Sequence, residues 1–131
     1  MDYLLDTHII IWAIYNDPSL SDEIKAIIRN KDNNIFYSAA SLWEIEIKHN
    51  KNPESVPASA FDIFSVLLGT RLEFIDISIP HIHCLRHIIP QNIHKDPFDH
   101  MILATAKRED LTLITHDKIL KQYQGVNVLT Y

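Results

Sequence analysis

Tyr3-Leu4-Leu5-Asp6-Thr7-His8-Ile9-Ile10-Ile11-Trp12-Ala13 sets the pattern that the rest of the chain repeats. A short apolar run gives way at once to an acid and a hydroxyl, and apolar residues resume behind them. A buried strand running directly into a helix reads this way, with Asp6 or Thr7 as the N-cap. Asn16-Asp17-Pro18-Ser19 then ends the helix. Ser19 or Ser21 opens a second helix, with Leu20, Ile24, Ile27 and Ile28 on one face. Lys31-Asp32-Asn33-Asn34 breaks it, and Ile35-Phe36-Tyr37 is the second predicted strand. Ser38 to about His49 is helical, and Asn50 to Pro57 is a loop.

Further on, Ala60 to Leu68 puts Phe61, Phe64, Leu67 and Leu68 at helical spacing, with Gly69 suited to the left-handed C′ position. Leu72 to Ile77 reads as the third strand, and Ile79 to Ile88 as a helix stopped by Pro90. Phe98 to Arg108 is another helix, Leu111 to Thr115 the fourth strand, Asp117 to Tyr123 a short helix and Val126 to Leu129 the fifth strand. Short strands alternating with amphipathic helices predict an α/β fold, a mainly parallel sheet covered on both faces. The 131 residues are read as one domain, 1–131, with a single sizeable core.

Composition narrows the class. Hydrophobic content of 47% and charged content of 22% suit a soluble globular protein. No apolar run approaches the roughly 20 residues needed to span a bilayer, and no signal-peptide pattern opens the chain. Cys84 is the only cysteine, so no internal disulfide forms, and a cytoplasmic setting is expected. The net charge of -5 argues against a broad basic surface for nonspecific nucleic-acid binding. It leaves open a nucleic acid as substrate, because acids that hold divalent cations present positive charge locally.

The acids carry the chemical expectation. In His94-Lys95-Asp96-Pro97-Phe98-Asp99-His100, proline at the first helical position makes Asp96 the N-cap and Asp99 position N3. Asp6 follows the first strand, Glu44 lies about two turns into the helix after the second, Asp99 opens a helix after the third, and Asp117 comes just past the fourth. In a parallel sheet those carboxyl ends share one edge, where ligands bind. Carboxylates brought together there repel, and must take up protons or bind cations. Oxygen-rich clusters suit Mg²⁺ or Mn²⁺. Two such ions, roughly 3.5–4 Å apart, activate water and stabilise the leaving oxygen at a phosphodiester. Each acid also has a purely local reading. Asp6, Asp96 and Asp117 can serve as caps alone, and Glu44 fits a capping box with Ser41 unless Ser38 is the cap.

Leu4-Leu5-Asp6-Thr7-His8, Ser38-Ala39-Ala40-Ser41-Leu42-Trp43-Glu44-Ile45-Glu46-Ile47-Lys48, His94 to Asp99, and Leu113-Ile114-Thr115-His116-Asp117 together resemble the successive motifs of PIN-domain proteins. They are most similar to the VapC-like toxins of bacterial toxin–antitoxin pairs. The resemblance covers nearly the whole chain, in the right order. It implies a three-layer α/β/α fold around about five parallel strands. It also implies a Mg²⁺- or Mn²⁺-dependent endoribonuclease that hydrolyses RNA with metal-activated water, and a cognate antitoxin that occludes the site. A homodimer is expected. Carried onto this chain, the acidic quartet is Asp6, Glu44, Asp99 and Asp117. Asp6 and Asp99 are the chief metal ligands, and Glu44 and Asp117 bind directly or through water. Thr7 and Thr115 are expected to hydrogen-bond the acids from behind, and Asp96 to cap its helix and support the site. Apart from the resemblance, Lys48 is a candidate RNA contact, set against the plainer reading of a solvated cation. The chain departs from its relatives at His100, where Arg is common, at Thr105, where Gln is common, and in the loop after Lys48, which lacks the usual glycine.

Other residues carry competing signals. His83 and His87 have the i, i+4 spacing of zinc pairs, with His81 and Cys84 nearby, but no second ligand pair follows. His8, His94, His100 and His116 flank the acids and stay outside the catalytic set, although they are placed to bind phosphate or move protons. Trp12 and Trp43 read as core or interface. Lys51, Lys95 and Arg108 join Lys48 as scattered cations. The helices around Leu20–Ile28 and Phe61–Leu68 offer a groove for a partner helix. The rival functions are a non-toxin RNA-processing nuclease, an α/β phosphohydrolase or phosphoacceptor, and a non-catalytic interaction protein. The phosphohydrolase is disfavoured because Asp6 lacks an acid two positions on.

Overall fold

A computed structural model describes residues 1–131. Five strands form one sheet, β1 (Asp2–Leu5), β2 (Asn34–Ser38), β3 (Glu73–Ile75), β4 (Thr112–Ile114) and β5 (Val128–Leu129). Six helices connect them, α1 (Thr7–Tyr15), α2 (Asp22–Arg29), α3 (Ala39–Lys51), α4 (Ala60–Leu68), α5 (Ile79–Cys84) and α6 (Pro97–Glu109). The strand order is β3-β2-β1-β4-β5, and every neighbouring pair is parallel. The chain therefore has the expected PIN-like α/β/α architecture. No helix is long and apolar enough to cross a membrane.

Alternation along the strands divides the core between the two faces of the sheet. Tyr3, Leu5, Ile35, Tyr37 and Ile114 point to one side, where they pack with Ile9 and Ile10 of α1, Ile24 of α2, Ile45 of α3, and Ile63 and Leu67 of α4. Leu4 and Leu113 point to the other, against Ile102, Leu103 and Ala106 of α6 and against Leu120 and Tyr123. The chain thus winds along one face from β1 to β3, crosses to the opposite face, and returns beside β1 as β4. The direction of winding reverses between β1 and β4, which is where a doubly wound sheet opens a crevice at its carboxyl edge.

Local signals account for most boundaries. Asp6 caps α1 through the Thr7 N–H, Ser21 caps α2 through the Ile24 N–H, and Ser38 caps α3 through the Ala40 N–H. Asn16 and Asp110 end α1 and α6 in the left-handed conformation, at φ 50° and 55°, which Asn and Asp tolerate better than most residues.

Some expectations are corrected. Gly69 does follow α4, but with φ -83°, so the left-handed freedom expected of it is not used. The helix expected over Ile79 to Ile88 stops at Cys84 and continues as two 3₁₀ turns, Leu85–His87 and Ile89–Gln91. Pro90, which has no N–H to donate, sits in the second. His83 and His87 therefore do not share a continuous α-helical face. The helix expected after Asp117 is a 3₁₀ turn, Lys118–Gln122.

Candidate acidic site

Asp6 leaves β1 at the sheet edge beside the end of β4, with its backbone N–H still donating to the Ile114 carbonyl at 2.9 Å. That position leaves its side chain only 7% exposed. One carboxylate oxygen accepts the Thr7 N–H at 2.7 Å and the other accepts the Thr115 hydroxyl at 2.6 Å. Thr115 lies one residue past β4, so this bond joins the two strands at the winding reversal. Burial pushes the Asp6 carboxyl above its ordinary pKa, and the charge of Glu44 adds to that. The Thr115 and Thr7 hydrogen bonds and His8 oppose it without cancelling it.

Glu44 reaches the same place from α3. With Ser38 as the cap, Ser41 and Glu44 lie inside the helix, and the Ser41–Glu44 capping box does not form. The Thr7 hydroxyl donates to Glu44 Oε1 at 2.6 Å and lies 3.1 Å from Ser41 Oγ. A hydroxyl has one proton, and the carboxylate at the shorter distance takes it. Glu44 Oε2 pairs with Lys48 Nζ at 2.9 Å, one helical turn further on. The sequence offers Ser41 only as a capping-box partner of Glu44, the alternative to Ser38 as the cap. Its i, i+3 relation to Glu44 was the available signal, and it pointed to the wrong interaction.

Asp99 stands in the first turn of α6. Asp96 caps that helix, its Oδ1 accepting the Phe98 and Asp99 N–H groups at 2.9 and 3.3 Å. The helix dipole favours an ionised acid there by about 0.3–1 kcal/mol, less than one pKa unit. Burial outweighs it. Together with the charges of Asp6 and Asp96, burial raises the Asp99 carboxyl from 3.8 to about 7, against the opposing His94 contact. His94 Nε2 lies 2.8 Å from Asp99 Oδ2, and its Nδ1 lies 2.8 Å from the Tyr123 hydroxyl. Tyr123 carried no sequence signal, being 29 residues from His94 and placed only by the fold.

Asp117 is exposed and accepts the Ile119 N–H at 3.0 Å as a cap. It also lines a cleft of about 280 Å³ with Asp6, His8, Trp12 and His116. Trp12, expected as core or interface, packs against the edge of the core and also lines the cleft. It stands at the mouth of the acids, its ring centroid 5.7 Å from His8 and 5.5 Å from His116. Trp43 is 59% exposed and packs edge-on against Phe98. A larger groove of about 500 Å³ continues from His8 and Trp12 past Tyr15 to Lys48 and Lys51. His81, by contrast, is tied down away from the acids. Its Nδ1 accepts the Ser78 N–H at 3.2 Å and its Nε2 donates to Glu109 at 2.8 Å, which leaves no nitrogen for a metal.

No three His, Cys, Asp or Glu side chains converge as they stand to hold a metal ion. Asp6, Glu44 and Asp99 are each turned towards a donor within the protein. Their chemistry nonetheless fits a hard divalent cation. All their ligating atoms are oxygens, and Asp6 repels both Glu44 and Asp99 at a buried edge.

A family model described as the PIN domain matches residues 3–126. No curated protein sequence matches the chain. Among solved structures, the chain is similar to one in VapBC2 from Rickettsia felis bound to a promoter DNA fragment. The two are 23% identical over 99% of this chain and 98% of that one, with a TM-score of 0.75. A chain of DNA-bound VapBC from Salmonella typhimurium is 20% identical over 99% and 98%, with a TM-score of 0.73. VapC20 from Mycobacterium tuberculosis, a sarcin–ricin-loop-cleaving toxin, is 12% identical over 95% and 98%, with a TM-score of 0.62.

Proposed function

The chain belongs to the PIN-domain family, and on that premise we propose that it is a divalent-metal-dependent endoribonuclease acting as the toxin of a toxin–antitoxin pair. The observation that carries the reading is the placement of Asp6, Glu44 and Asp99. They come from three elements around the winding reversal of the sheet, where burial and the neighbouring acids make ionisation of Asp6 and Asp99 costly. Similarity to VapC20, a sarcin–ricin-loop-cleaving toxin, supports the substrate class, and similarity to VapBC chains supports an antitoxin partner.

Asp6 and Asp99 are the chief ligands for Mg²⁺ or Mn²⁺ in this reading, with Glu44 and Asp117 contributing directly or through water. A cation bound there supplies positive charge against a phosphodiester and makes water more acidic. The chain's own residues do the rest. Thr115 and Thr7 hold Asp6 and Glu44 in place, while Lys48, at the junction of the acids and the larger groove, offers its ammonium to a phosphate. The protein is read as a single cytoplasmic domain that forms a homodimer. Exposed apolar residues such as Phe61 and Leu68 on α4 are surface that a second copy or an antitoxin would cover.

Incubating the purified protein with structured RNAs and Mg²⁺ or Mn²⁺ tests the activity. Cleavage should require the metal and should be lost in Asp6→Asn and Asp99→Asn. Variants that cut as well as the parent would remove these acids from the mechanism. The internal partners of all three acids favour a second reading, a non-catalytic protein that keeps the fold. Calorimetry separates the two, because only the nuclease reading expects Mn²⁺ to bind with an affinity that Asp99→Asn reduces.

A further inference from the structure

We propose that Tyr123 and His94 form a positioning relay for Asp99. The tyrosine hydroxyl fixes the histidine tautomer, and the histidine holds one carboxylate oxygen while leaving the other to face a divalent cation. This role rests on the reading of Asp99 as a metal ligand.

The tautomer follows from counting protons around the phenol. The Tyr123 oxygen is approached by the His94 N–H at 3.3 Å and by His100 Nε2 at 3.2 Å. His100 Nε2 is closer still to the His94 carbonyl, at 2.9 Å, so its proton is shared between that carbonyl and the phenol. With two N–H groups pointing at its oxygen, Tyr123 has one proton to give. The acceptors in reach are His94 Nδ1 at 2.8 Å and the His94 carbonyl at 3.4 Å, which His100 already serves. The short contact takes the proton. His94 Nδ1 is then an acceptor, its proton sits on Nε2, and that N–H donates to Asp99 Oδ2 at 2.8 Å. With Asp99 ionised, as it is when it holds a cation, the opposite tautomer sets a bare nitrogen lone pair against the carboxylate and leaves the phenol proton with only the longer contact.

Packing makes the relay stiff. Tyr123 is 2% exposed and belongs to the core on the α6 face of the sheet. Its ring lies 5.6 Å from that of His94, which lies 5.4 Å from that of His100. The backbone of α6 places the Cβ of Asp99, but rotation about χ2 would still swing its two oxygens. A donor anchored in the core removes that freedom. The relay acts through Asp99, so its residues are positioning residues. Partners of this kind are worth about 10–100-fold in metal affinity.

The test uses the full chain and MnCl₂ alone. Two-bond ¹H–¹⁵N spectra of the histidine rings, recorded above the Asp99 pKa of about 7, should show the His94 proton on Nε2 in the parent and a tautomer mixture in Tyr123→Phe. By calorimetry, Tyr123→Phe and His94→Ala should bind Mn²⁺ about 10–100-fold more weakly. His94→Gln, whose amide places an N–H near the position of Nε2, should recover most of the loss. A His94 proton on Nδ1 in the parent overturns the relay, as does unchanged Mn²⁺ affinity in a Tyr123→Phe variant with parental circular dichroism. Should His94→Ala fail to fold, Tyr123→Phe and His94→Gln decide. A parent that binds no Mn²⁺ overturns the metal-dependent reading itself, and the ring spectrum still reports the tautomer independently.

Discussion

Single side chains at the acidic edge work against their own ionisation, and that has measurable consequences. The folded state holds the Asp99 proton up to about pH 7, whereas an unperturbed aspartate loses it near 3.8. Between those values the folded protein binds more protons than the unfolded one, so its stability falls as pH rises through that window. Asp99→Asn removes the effect. In EDTA its stability should match the parent's below about pH 4, exceed it increasingly up to about pH 7, and level off above that. Urea midpoints across pH measure this, and a gain that does not depend on pH would contradict it. Thr115 presents the opposite case, because its hydroxyl stabilises the Asp6 charge. Thr115→Val keeps the shape but strips the donor from a buried carboxylate and the acceptor from the Asp117 N–H. The expected loss is about 1.5–3 kcal/mol by denaturant unfolding at neutral pH. The caps were legible at this scale because Asp6, Ser38 and Asp96 each bond within three residues of themselves. The Thr115–Asp6 bond spans 109 residues, and no local pattern encodes it.

Elements begin and end largely at their caps, and the structure departs from the sequence pattern where residue type does not fix conformation. Gly69 follows α4 with φ -83°, and an added Cβ would meet only the Val66 carbonyl oxygen, at an ordinary 3.5 Å. Gly125 has φ 82°, and a Cβ there would lie 2.8 Å from Lys107 Nζ. Gly69→Ala should therefore stabilise the protein by about 0.4–1 kcal/mol through a less disordered unfolded chain, while Gly125→Ala destabilises it by more than that. Thermal unfolding of the two variants checks the contrast, and equal effects would show that φ is not what separates them. Trp12 packs against the core and also lines the cleft, a double placement that the sequence does not show. Its helix is apolar throughout, so periodicity does not show which side faces the core and which faces the cleft beside Asp6.

At the scale of the molecule, two apolar layers clamp one parallel sheet, and burial is deepest along its central strands. Leu5 of β1 is fully buried, whereas Phe61 of α4 is 76% exposed. Leu5→Ala should cost about 2–5 kcal/mol, the usual loss for a cavity in a packed core. Phe61→Ser should change the stability of the isolated chain by no more than about 0.5 kcal/mol. Guanidinium melts at micromolar protein decide this, and a large loss at Phe61 would mean that the surface is already covered by another copy. The same layering explains the location of the acids. Helices fill both faces, so the crevice at the carboxyl edge is where a polar group can be buried beside the sheet and still be reached.

The sequence by itself determined the alternation of strands and helices, the Asp96 cap of α6, and the placing of Asp6 and Asp117 just past strands and of Glu44 and Asp99 in helices. Those features depend on neighbours within a turn or two, and the pattern of apolar and polar residues records them directly. Tertiary structure alone decided that Thr115 and Thr7 brace Asp6 and Glu44. It also decided that Tyr123 and His94 orient Asp99, and that Trp12 lines the cleft. These contacts join residues brought side by side by strand order and helix packing, and their energies come from burial and charge at an edge that exists only once the sheet has formed.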